Sequence, residues 1–563
     1  MPRPYNLCTP KQHTQPPACM DKPTLCNLPI YKHPRVGSPY SPSVFPTPLG
    51  RFPFHSRETL LPQFLYSKSL PMFTPLLEQL HYLPTSPLLF NTGFFLFFFL
   101  LFMAGYTLLS GRRIVALRLL YVTAFSYYFY YKNAGAWCML LAVITLVNFF
   151  CAIRMEKAAT PQARKHWMWA AVGFMLGQLA FFKYTNFVLS SLTSIQLLPE
   201  DTRLDLPLLI GISFFTFQSM SYIIDVYREK MCATRSLTDF AFFVSFFPTL
   251  LAGPILRART FLPQLRRPVV VTHAMMGSGT WFILMGLFKK CIISDYISQN
   301  FVSRIFDNPA LYSGLENLLG VYGYALQLYC DFSGYSDMAI GIALWMGFHI
   351  PANFRAPYKS DSITDFWRRW HISLSTWLRD YLYISLGGNR CSRWRMYFNQ
   401  FMTMLLGGLW HGASWNFIIW GSVHGLALCG HKAWQNLLGH DKHYHPTGIR
   451  RFLAIVLTFH LVCFSWLFFA GTSFEASAAM LTQIFTNFQP QLITQFLAGY
   501  PEVSTLMVLG FVLHFLPTRW NDRAEALMRR SSSLVMVLLL AAMIVWVIQV
   551  KGSEIQPFIY FKF

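Results

Sequence analysis

Apolar blocks, each about 20 residues long, recur along this chain from Leu88 to Val550. An α-helix needs about that length to cross a hydrocarbon core roughly 30 Å thick, where only helices and closed barrels satisfy their own backbone groups. Of the 563 residues, 54% are hydrophobic and 12% are charged, about half the charged share of a soluble domain. The sequence therefore predicts an all-α polytopic membrane protein with about 11 to 12 spanning segments.

Most of these blocks read as simple crossings, and two shorter segments do not. The predicted spans are 88–109, 114–131, 134–153, 167–190, 206–226, 274–296, 318–348, two segments within 398–430, 452–470, 503–518 and 534–550. Segment 240–254 is short and lies between basic loops, which predicts a re-entrant segment. Segment 359–386 mixes aromatic residues with arginines, which predicts an amphipathic helix that lies at, or dips into, the cytoplasmic interface.

The net charge of +22 comes from Lys and Arg residues that lie mainly in short loops between the apolar blocks and in the N-terminal segment. A basic excess in alternate loops is the pattern of cytoplasmic loops in membrane proteins, whereas a nucleic-acid-binding protein gathers its basic residues on one surface. We therefore expect membrane lipid around this chain and no nucleic acid as a partner.

Loop charges in the C-terminal third predict the position of one histidine. Residues 471–502 contain no Lys or Arg, whereas 519–530 contain four Arg, so the first loop should be external and the second cytoplasmic. The basic loop 431–451 is then also cytoplasmic, and 398–430 must enter and leave on one side or form two short passes. Glycines in "GGLWHGAS" make that motif the natural break, which places His411 at a bend inside the membrane.

The two ends of the chain differ from its hydrophobic body. Residues 1–87 hold 18 of the 33 prolines and show no periodicity, so we expect this segment to be disordered, or to result from a start site placed too far upstream of Met72. The body, 88–550, carries the spanning segments. Residues 551–563 form a short aromatic tail, which the topology places outside the cytoplasm.

Few ionisable side chains lie at membrane depth, and each one is a candidate for function because burying it there is expensive. His411 could be a packed histidine bonded to a backbone carbonyl or a functional one, and His371 could simply lie at the interface. His424 could bridge helices, and Asp331 and Asp337 fit structural hydrogen bonding. The sequence shows no zinc spacing, phosphate loop or nucleophile elbow, so neither a metal nor a tightly bound cofactor is expected.

Three long motifs carry a resemblance to a known family. They are "DFSGYSDMAIGIALWMGF", "NFRAPYKSDSITDFWRRWHISLSTWLRDYLYISLGGNR" and "GGLWHGASWNFIIWGSVHG". Together they resemble the membrane-bound O-acyltransferase family, over about 88–563. Within it the chain is most similar to the membrane subunits of bacterial alginate and peptidoglycan O-acetyltransferases. The resemblance implies a helical bundle with a central tunnel.

The same resemblance implies site residues and a donor. The near-invariant histidine of the family's "WHG" motif matches His411, and the histidine of "WHISLS" matches His371. We expect His411 to be the general base, because a neutral imidazole can take the proton of an attacking hydroxyl. His371 would orient the thioester or polarise its carbonyl. The donor would be acetyl-CoA, an acyl thioester. Arg368, Arg369 and Arg379 could meet the phosphates of its carrier, and the positive charge of cytoplasmic segments explains these arginines equally well.

The expected reaction is acetyl transfer from a cytoplasmic thioester to a cell-envelope polysaccharide or exopolysaccharide such as alginate or peptidoglycan. The resemblance implies a location in the cytoplasmic (inner) membrane and a separate extracytoplasmic acetyltransferase or esterase-like partner. D-alanyl transfer of the teichoic acid type is one alternative. A proton-coupled transporter with a His411–His371 relay is another, although the halves of the chain show no inverted repeat.

The tail "QPFIYFKF" contains the last candidate, Tyr560. As an interfacial anchor it would stay at the membrane surface, where Tyr and Phe are favoured. The ten residues from Val550 to Tyr560 can also extend about 33–36 Å, enough to fold back to the midplane. The tail resembles an aromatic C-terminal motif of this branch, which implies that Tyr560 carries the acyl group, although Lys562 replaces a common Gln.

Overall fold

The computed structural model describes residues 79–84, 86–110, 114–199, 202–207, 209–439, 441, 444–471, 473–550 and 558–559. Most of the predicted N-terminal segment 1–87 lies outside the described residues, and so does Tyr560. Within the described ranges the regular structure is helical and no strand is present.

The helices follow one another in a long series with short connections. In chain order they are α1 (Gly93–Leu108), α2 (Val115–Ala134), α3 (Cys138–Glu156), α4 (Pro161–Ser194), α5 (Ile212–Tyr227), α6 (Leu237–Val244), α7 (Phe247–Leu250), α8 (Ala258–Leu265), α9 (His273–Leu287), α10 (Gly314–Trp345), α11 (Ile363–Arg369), α12 (Ile372–Trp377), α13 (Arg393–His411), α14 (Trp415–Leu437), α15 (Gly448–Ala470), α16 (Phe474–Thr486), α17 (Ile493–Gly499), α18 (Pro501–Phe515), α19 (Thr518–Arg530) and α20 (Ser533–Val550). Helix α9 continues through π-helical turns to Asp307.

Each predicted span coincides with a helix of the structure, which confirms the all-α architecture. Among the described residues, four helical stretches are long and apolar enough to cross a membrane, namely Val115–Glu156, His273–Asp307, Gly448–Ala470 and Ser533–Val550. The pair Pro490–Gly499 and Pro501–Phe515, bent by 104°, adds a fifth if it is one span. The other helices are shorter or more polar, as expected where polar side chains face protein rather than lipid.

Helix α10 lies at the centre of the molecule. It begins with a capping box, in which the Ser313 hydroxyl accepts the Glu316 N–H and the Glu316 carboxylate accepts the Ser313 N–H. Gly334 packs against the backbone of α9 so closely that an added Cβ would lie 2.8 Å from the Gly286 carbonyl oxygen. Close glycine contacts of this kind let two helices in a membrane approach to backbone distance.

Segment 240–254 consists of two short buried helices, α6 and α7, separated by a break at Ser245 and Phe246. The first turn of α6 binds an arginine that directly follows α8. The Arg266 guanidinium donates to both oxygens of the buried Asp239 carboxylate, with Nη2 2.6 Å from Oδ1 and Nε 2.5 Å from Oδ2. The segment is too short to form a single crossing helix, as the sequence predicts.

Segment 359–386 differs from its prediction. The expected single amphipathic helix is broken into α11, α12 and the π-helical turn Leu378–Tyr383. At the break His371 takes left-handed backbone angles, with φ 42° and ψ 55°. The backbone carbonyl oxygen of Asn353 accepts the Ile372 N–H at 2.9 Å. This bond satisfies a donor that the break leaves without a partner inside the helix. Trp370 and His371 are 1% and 0% exposed, so this part of the segment lies in the core.

Helices α13 and α14 form a tightly packed hairpin around two glycines. A Cβ on Gly408 would overlap the Phe417 carbonyl oxygen, and a Cβ on Gly421 would lie 2.6 Å from the Met404 carbonyl oxygen. The contact needs hydrogen atoms in place of side chains at both positions. It holds the helix that ends at His411 against the one that follows.

We therefore expect Gly421→Ala to destabilise the protein by about 1–3 kcal/mol, since it forces a methyl group into a backbone contact. Gly430→Ala is the matched control on the same helix, because its Cβ would meet no atom within 4 Å. That variant should be unchanged or up to about 1 kcal/mol more stable. Thermal unfolding of both purified proteins in detergent measures the difference, and equal midpoints would contradict the proposed role of the glycine contact.

Candidate active site

His411 is the last residue of α13, directly before the break between α13 and α14. Gly412 then adopts an extended conformation, and Ser414 precedes the first turn of α14. A Cβ on Gly412 would overlap the Phe417 ring, so the residue after the histidine has to be small. The predicted bend at this histidine is confirmed.

Two residues of helix α4, which lies much earlier in the chain, bind the end of α13. A helix leaves its last carbonyl groups without intrahelical partners, and hydrocarbon offers no replacement. The Lys183 ammonium donates to the Trp410 and His411 carbonyl oxygens at 2.7 and 2.8 Å, and the Tyr184 hydroxyl donates to the Leu409 carbonyl oxygen at 2.7 Å. A cation here also complements the negative end of the helix dipole. This capping fixes the backbone that carries His411.

The His411 side chain lies among aromatic rings and is 5% exposed. Its ring centroid is 5.0 Å from that of Trp410, 4.9 Å from that of Trp420 and 5.2 Å from that of Phe469, with each pair edge to face. Rings on three sides restrict the orientation of the imidazole and exclude bulk water from it.

His371 is fully buried, and its protonation pattern follows from Asn353. The Asn353 Oδ1 atom accepts the Ser373 N–H at 3.1 Å and the Ser373 hydroxyl at 2.9 Å, which identifies it as the carbonyl oxygen. His371 Nδ1, 3.1 Å from the same atom, therefore carries the proton and donates it. In the neutral ring the lone pair is then on Nε2.

The two predicted histidines lie in one aromatic cluster. The Trp410 ring is 6.3 Å from the His371 ring and 5.0 Å from the His411 ring, between centroids. The Phe332 ring of α10 contacts His371 edge to face at 4.6 Å. The fold thus places next to one indole two side chains that are separated by 40 positions in the chain.

His424 has a structural role, which the sequence left open. The Trp367 indole N–H donates to His424 Nδ1 at 3.3 Å, so the other nitrogen carries the proton and donates to the Ser465 hydroxyl at 2.9 Å. These bonds join α11, α14 and α15. Because both ring nitrogens are engaged, this histidine serves packing instead of proton transfer.

The three predicted donor-binding arginines lie in different surroundings. Arg369 binds Asp365 one turn back on α11, with Nε and Oδ2 2.8 Å apart, and Arg368 is exposed. Arg379 is exposed and binds the adjacent Asp380 carboxylate at 2.7 Å. Arg368 and Arg379 are therefore both accessible to solvent.

Two further arginines meet Arg379 at Asp380, and the sequence indicated them only as loop charges. Arg257 Nη2 is 3.7 Å from Asp380 Oδ2, and its guanidinium lies 4.6 Å from the centroid of the Tyr381 ring. Arg228 donates to the Asp380 carbonyl oxygen at 2.9 Å. We call Arg228, Arg257, Arg379 and Asp380 the arginine cluster, which carries a net positive charge.

A series of aromatic contacts joins the arginine cluster to the histidines. The Tyr381 ring is 5.3 Å from that of Trp377, which stacks on Phe217 at 3.8 Å. The Phe217 ring is in turn 5.2 Å from that of Trp410. The Trp377 indole N–H donates to the Phe217 carbonyl oxygen at 2.7 Å, which fixes this arrangement. A positively charged site and two buried histidines therefore lie at the ends of one aromatic series.

Phe558 and Ile559, the described residues of the C-terminal tail, are buried inside the bundle. They are 2% and 5% exposed, and the Ile559 N–H donates to Asp331 Oδ2 at 2.7 Å. The Phe558 ring packs on Phe332 and Tyr335, with centroids 5.4 and 5.2 Å apart. Of the two predicted arrangements of the tail, these residues adopt the one that folds back. The predicted acyl carrier Tyr560 lies outside the described residues.

Comparison with known proteins identifies the family. The "Probable alginate O-acetylase" of Pseudomonas putida is 38% identical over 506 residues, which cover 84% of this chain and all of the relative. The chain belongs to the membrane-bound O-acyltransferase family. The family model itself matches residues 213–470, a range that contains both His371 and His411.

More distant relatives are named for other activities. The "Peptidoglycan O-acetyltransferase" of Helicobacter pylori is 35% identical over 425 residues, covering 70% of this chain and 79% of the relative. The "Teichoic acid D-alanyltransferase" of Bacillus subtilis is 32% identical over 277 residues, covering 47% and 69%. The chain is thus a multi-pass membrane O-acyltransferase, related to enzymes named for alginate and for peptidoglycan.

We expect Lys183→Met to lower acyl-transfer turnover about tenfold, because it removes charge-assisted hydrogen bonds from the carbonyl groups of Trp410 and His411. Methionine keeps the apolar bulk of the stem. Lys165→Met is the control, since Lys165 lies exposed on the same helix α4. Turnover of both purified variants at saturating donor measures the effect. Equal turnover would show that the capping lysine does not influence His411.

Proposed function

We propose that this O-acyltransferase moves an acetyl group from cytoplasmic acetyl-CoA through the membrane, for O-acetylation of a cell-envelope polysaccharide. The observation that carries the proposal is the buried His411 at the capped end of α13, inside an aromatic cluster that also contains His371. The relatives named for alginate and peptidoglycan O-acetylation support acetyl as the group and a glycan as the final acceptor. The proposed final acceptor is an alginate-like polysaccharide or peptidoglycan.

His411 serves as the general base in this scheme. A hydroxyl attacks the thioester carbonyl carbon while its proton passes to the neutral imidazole. The new C–O bond forms, the C–S bond breaks, and the imidazolium returns the proton to the departing thiolate. The surrounding rings of Trp410, Trp420 and Phe469 keep water from competing as the nucleophile.

His371 orients the reactants in this scheme. Polarising the thioester carbonyl would require an N–H directed at it, but the Nδ1 proton of His371 is donated to Asn353. Its Nε2 lone pair instead suits an N–H or O–H of the bound substrate. Of the two roles that the sequence suggested for His371, its hydrogen bonding favours the orienting one.

The arginine cluster is the proposed entry for the donor. Guanidinium groups bind phosphates well because their planar donors match phosphate oxygens. Arg257 and Arg379 would meet the phosphates of acetyl-CoA, with exposed Arg368 and the neighbouring Arg369 as further contacts. The aromatic series from Tyr381 to Trp410 then leads the thioester arm to the histidines.

Tyr560 is the proposed first acceptor. A phenol is mostly protonated at neutral pH, so it needs a base such as His411 to attack a thioester. The burial of Phe558 and Ile559 supports this role, because it brings the tail beside the aromatic cluster. The acetylated tyrosine would then pass its group to an extracytoplasmic acetyltransferase or esterase-like partner, with the enzyme in the cytoplasmic membrane. D-alanyl transfer is less well supported, since that relative matches under half of this chain.

His411→Ala should abolish acetyl transfer while the protein remains folded, since a general base contributes roughly 10²–10⁴-fold. The control is His424→Gln, which replaces a buried histidine whose bonds are structural. Transfer of radiolabelled acetyl by purified, monodisperse protein gives the measurement. More than about a tenth of wild-type transfer in the alanine variant would overturn the general-base assignment.

Tyr560→Phe should block polysaccharide acetylation, because it removes the hydroxyl and keeps the ring. In cells that make the wild-type enzyme but lack the extracytoplasmic partner, mass spectrometry of the C-terminal peptide should show one acetyl group on Tyr560. The change Phe561→Leu is a control that leaves the hydroxyl in place. Full polysaccharide acetylation by Tyr560→Phe would reduce the tail to an anchor.

A further inference from the structure

A buried charge cluster lies where α10 meets the continuation of α9, and the acyl-transfer scheme above does not use it. The Lys290 ammonium is 2.7 Å from Asp331 Oδ1 and 2.7 Å from Asp295 Oδ1. The side chains of Lys290 and Asp331 are only 5% and 2% exposed. Burying charges this deeply is expensive, and in membrane segments such groups are often functional.

The second oxygen of Asp331 binds the chain's own C-terminal tail. Asp331 Oδ2 accepts the Ile559 N–H at 2.7 Å, and hydrogen bonds to an ionised acceptor are about twice as strong as neutral ones. Phe558 adds its contacts with Phe332 and Tyr335. Positions 331, 332 and 335 lie within about one turn of α10, so one stretch of helix contacts both residues of the tail.

This stretch of α10 also contacts the candidate active site. The Phe332 ring lies 5.4 Å from Phe558 on the tail and 4.6 Å from His371, between ring centroids. A single side chain of α10 therefore lies between the docked tail and a candidate catalytic residue. Because Tyr560 directly follows Ile559, the bond to Asp331 fixes the chain at the residue before the proposed acceptor.

We propose that Asp331, paired with Lys290, is the docking site of the C-terminal tail and acts as a positioning residue for acyl transfer. The carboxylate holds the Ile559 N–H, and Lys290 balances the charge that this contact requires in a buried site. Asp295 is a second carboxylate that contacts the Lys290 ammonium. The positioning part of this inference rests on the proposed acceptor role of Tyr560, whereas docking itself does not.

A neighbouring ion pair offers a matched comparison. Lys289 binds Asp337 with Nζ and Oδ2 2.6 Å apart, so a second lysine–aspartate pair joins the same two segments. Asp337 lies six positions beyond Asp331. The Asp337 carboxylate binds Lys289, whereas the Asp331 carboxylate binds both Lys290 and the tail. Replacing either aspartate removes one lysine–aspartate ion pair between the same two segments, but only the loss of Asp331 should release the tail.

Docking is tested by carboxypeptidase digestion of the purified full-length protein in detergent, followed by intact-mass spectrometry. Asp331→Asn should lose its last three residues, 561–563, at least about tenfold faster than wild type, and Asp337→Asn at the wild-type rate. Ile559→Pro removes the N–H and leaves the ion pair intact, so it should behave like Asp331→Asn even if that variant folds poorly. Ile559→Val keeps the N–H and should stay protected. Wild-type trimming rates for both Asp331→Asn and Ile559→Pro would overturn docking.

Positioning is tested by kinetics on the same four variants with acetyl-CoA as donor. Asp331→Asn and Ile559→Pro should lower kcat for acetyl transfer about tenfold or more with the donor KM unchanged, whereas Asp337→Asn and Ile559→Val should keep both. A purely structural defect would instead lower the fraction of active protein in both aspartate variants. Unchanged kcat in undigested Asp331→Asn and Ile559→Pro, the two variants expected to be digested faster, would overturn positioning. If wild-type Tyr560 carries no acetyl group while the trimming difference persists, docking stands and the acyl-carrier role fails.

Discussion

The three hydrogen bonds at the end of α13 are the contact on which the site depends. A helix that stops inside a membrane presents carbonyl groups that lipid cannot hydrate, so the chain itself has to supply donors. Lys183 and Tyr184, consecutive residues of α4, supply them to Leu409, Trp410 and His411. The break between α13 and α14 is stabilised by these bonds, and it leaves the histidine at the end of a helix.

Aromatic packing extends the site from this point in two directions. Toward the arginine cluster, rings in contact continue from Trp410 through Phe217 to Trp377. Toward the tail, Phe332 lies between His371 and Phe558. Large rings carry much of their contact area with little loss of side-chain entropy, so they can line a path and still hold a defined geometry. The arginine cluster, the two histidines and the docked tail are in this way parts of one packed core.

Much of the architecture could be predicted from the sequence, because helix length and loop charge act locally. Each predicted span coincides with a helix, and the glycines of "GGLWHGAS" correctly located the break at His411. Segment 359–386 is broken at His371 instead of forming one helix, because the backbone and the side chain of Asn353 form hydrogen bonds there, and no local pattern within the segment shows this contact. The bond from Lys183 to the His411 carbonyl oxygen could not be predicted from the sequence, because the two residues are 228 positions apart in the chain.

By itself the sequence determined that this protein is a helical membrane bundle of the O-acyltransferase type, with His411 and His371 as its central candidates. The helical bundle follows from hydrophobic runs, which a linear chain already contains. The O-acyltransferase type and the two histidines follow from the resemblance of three long motifs to that family. Only the tertiary structure decided which nitrogen of His371 carries the proton and that Asp331 binds Ile559. Both depend on hydrogen bonds between distant segments, whose geometry exists only once the helices have packed.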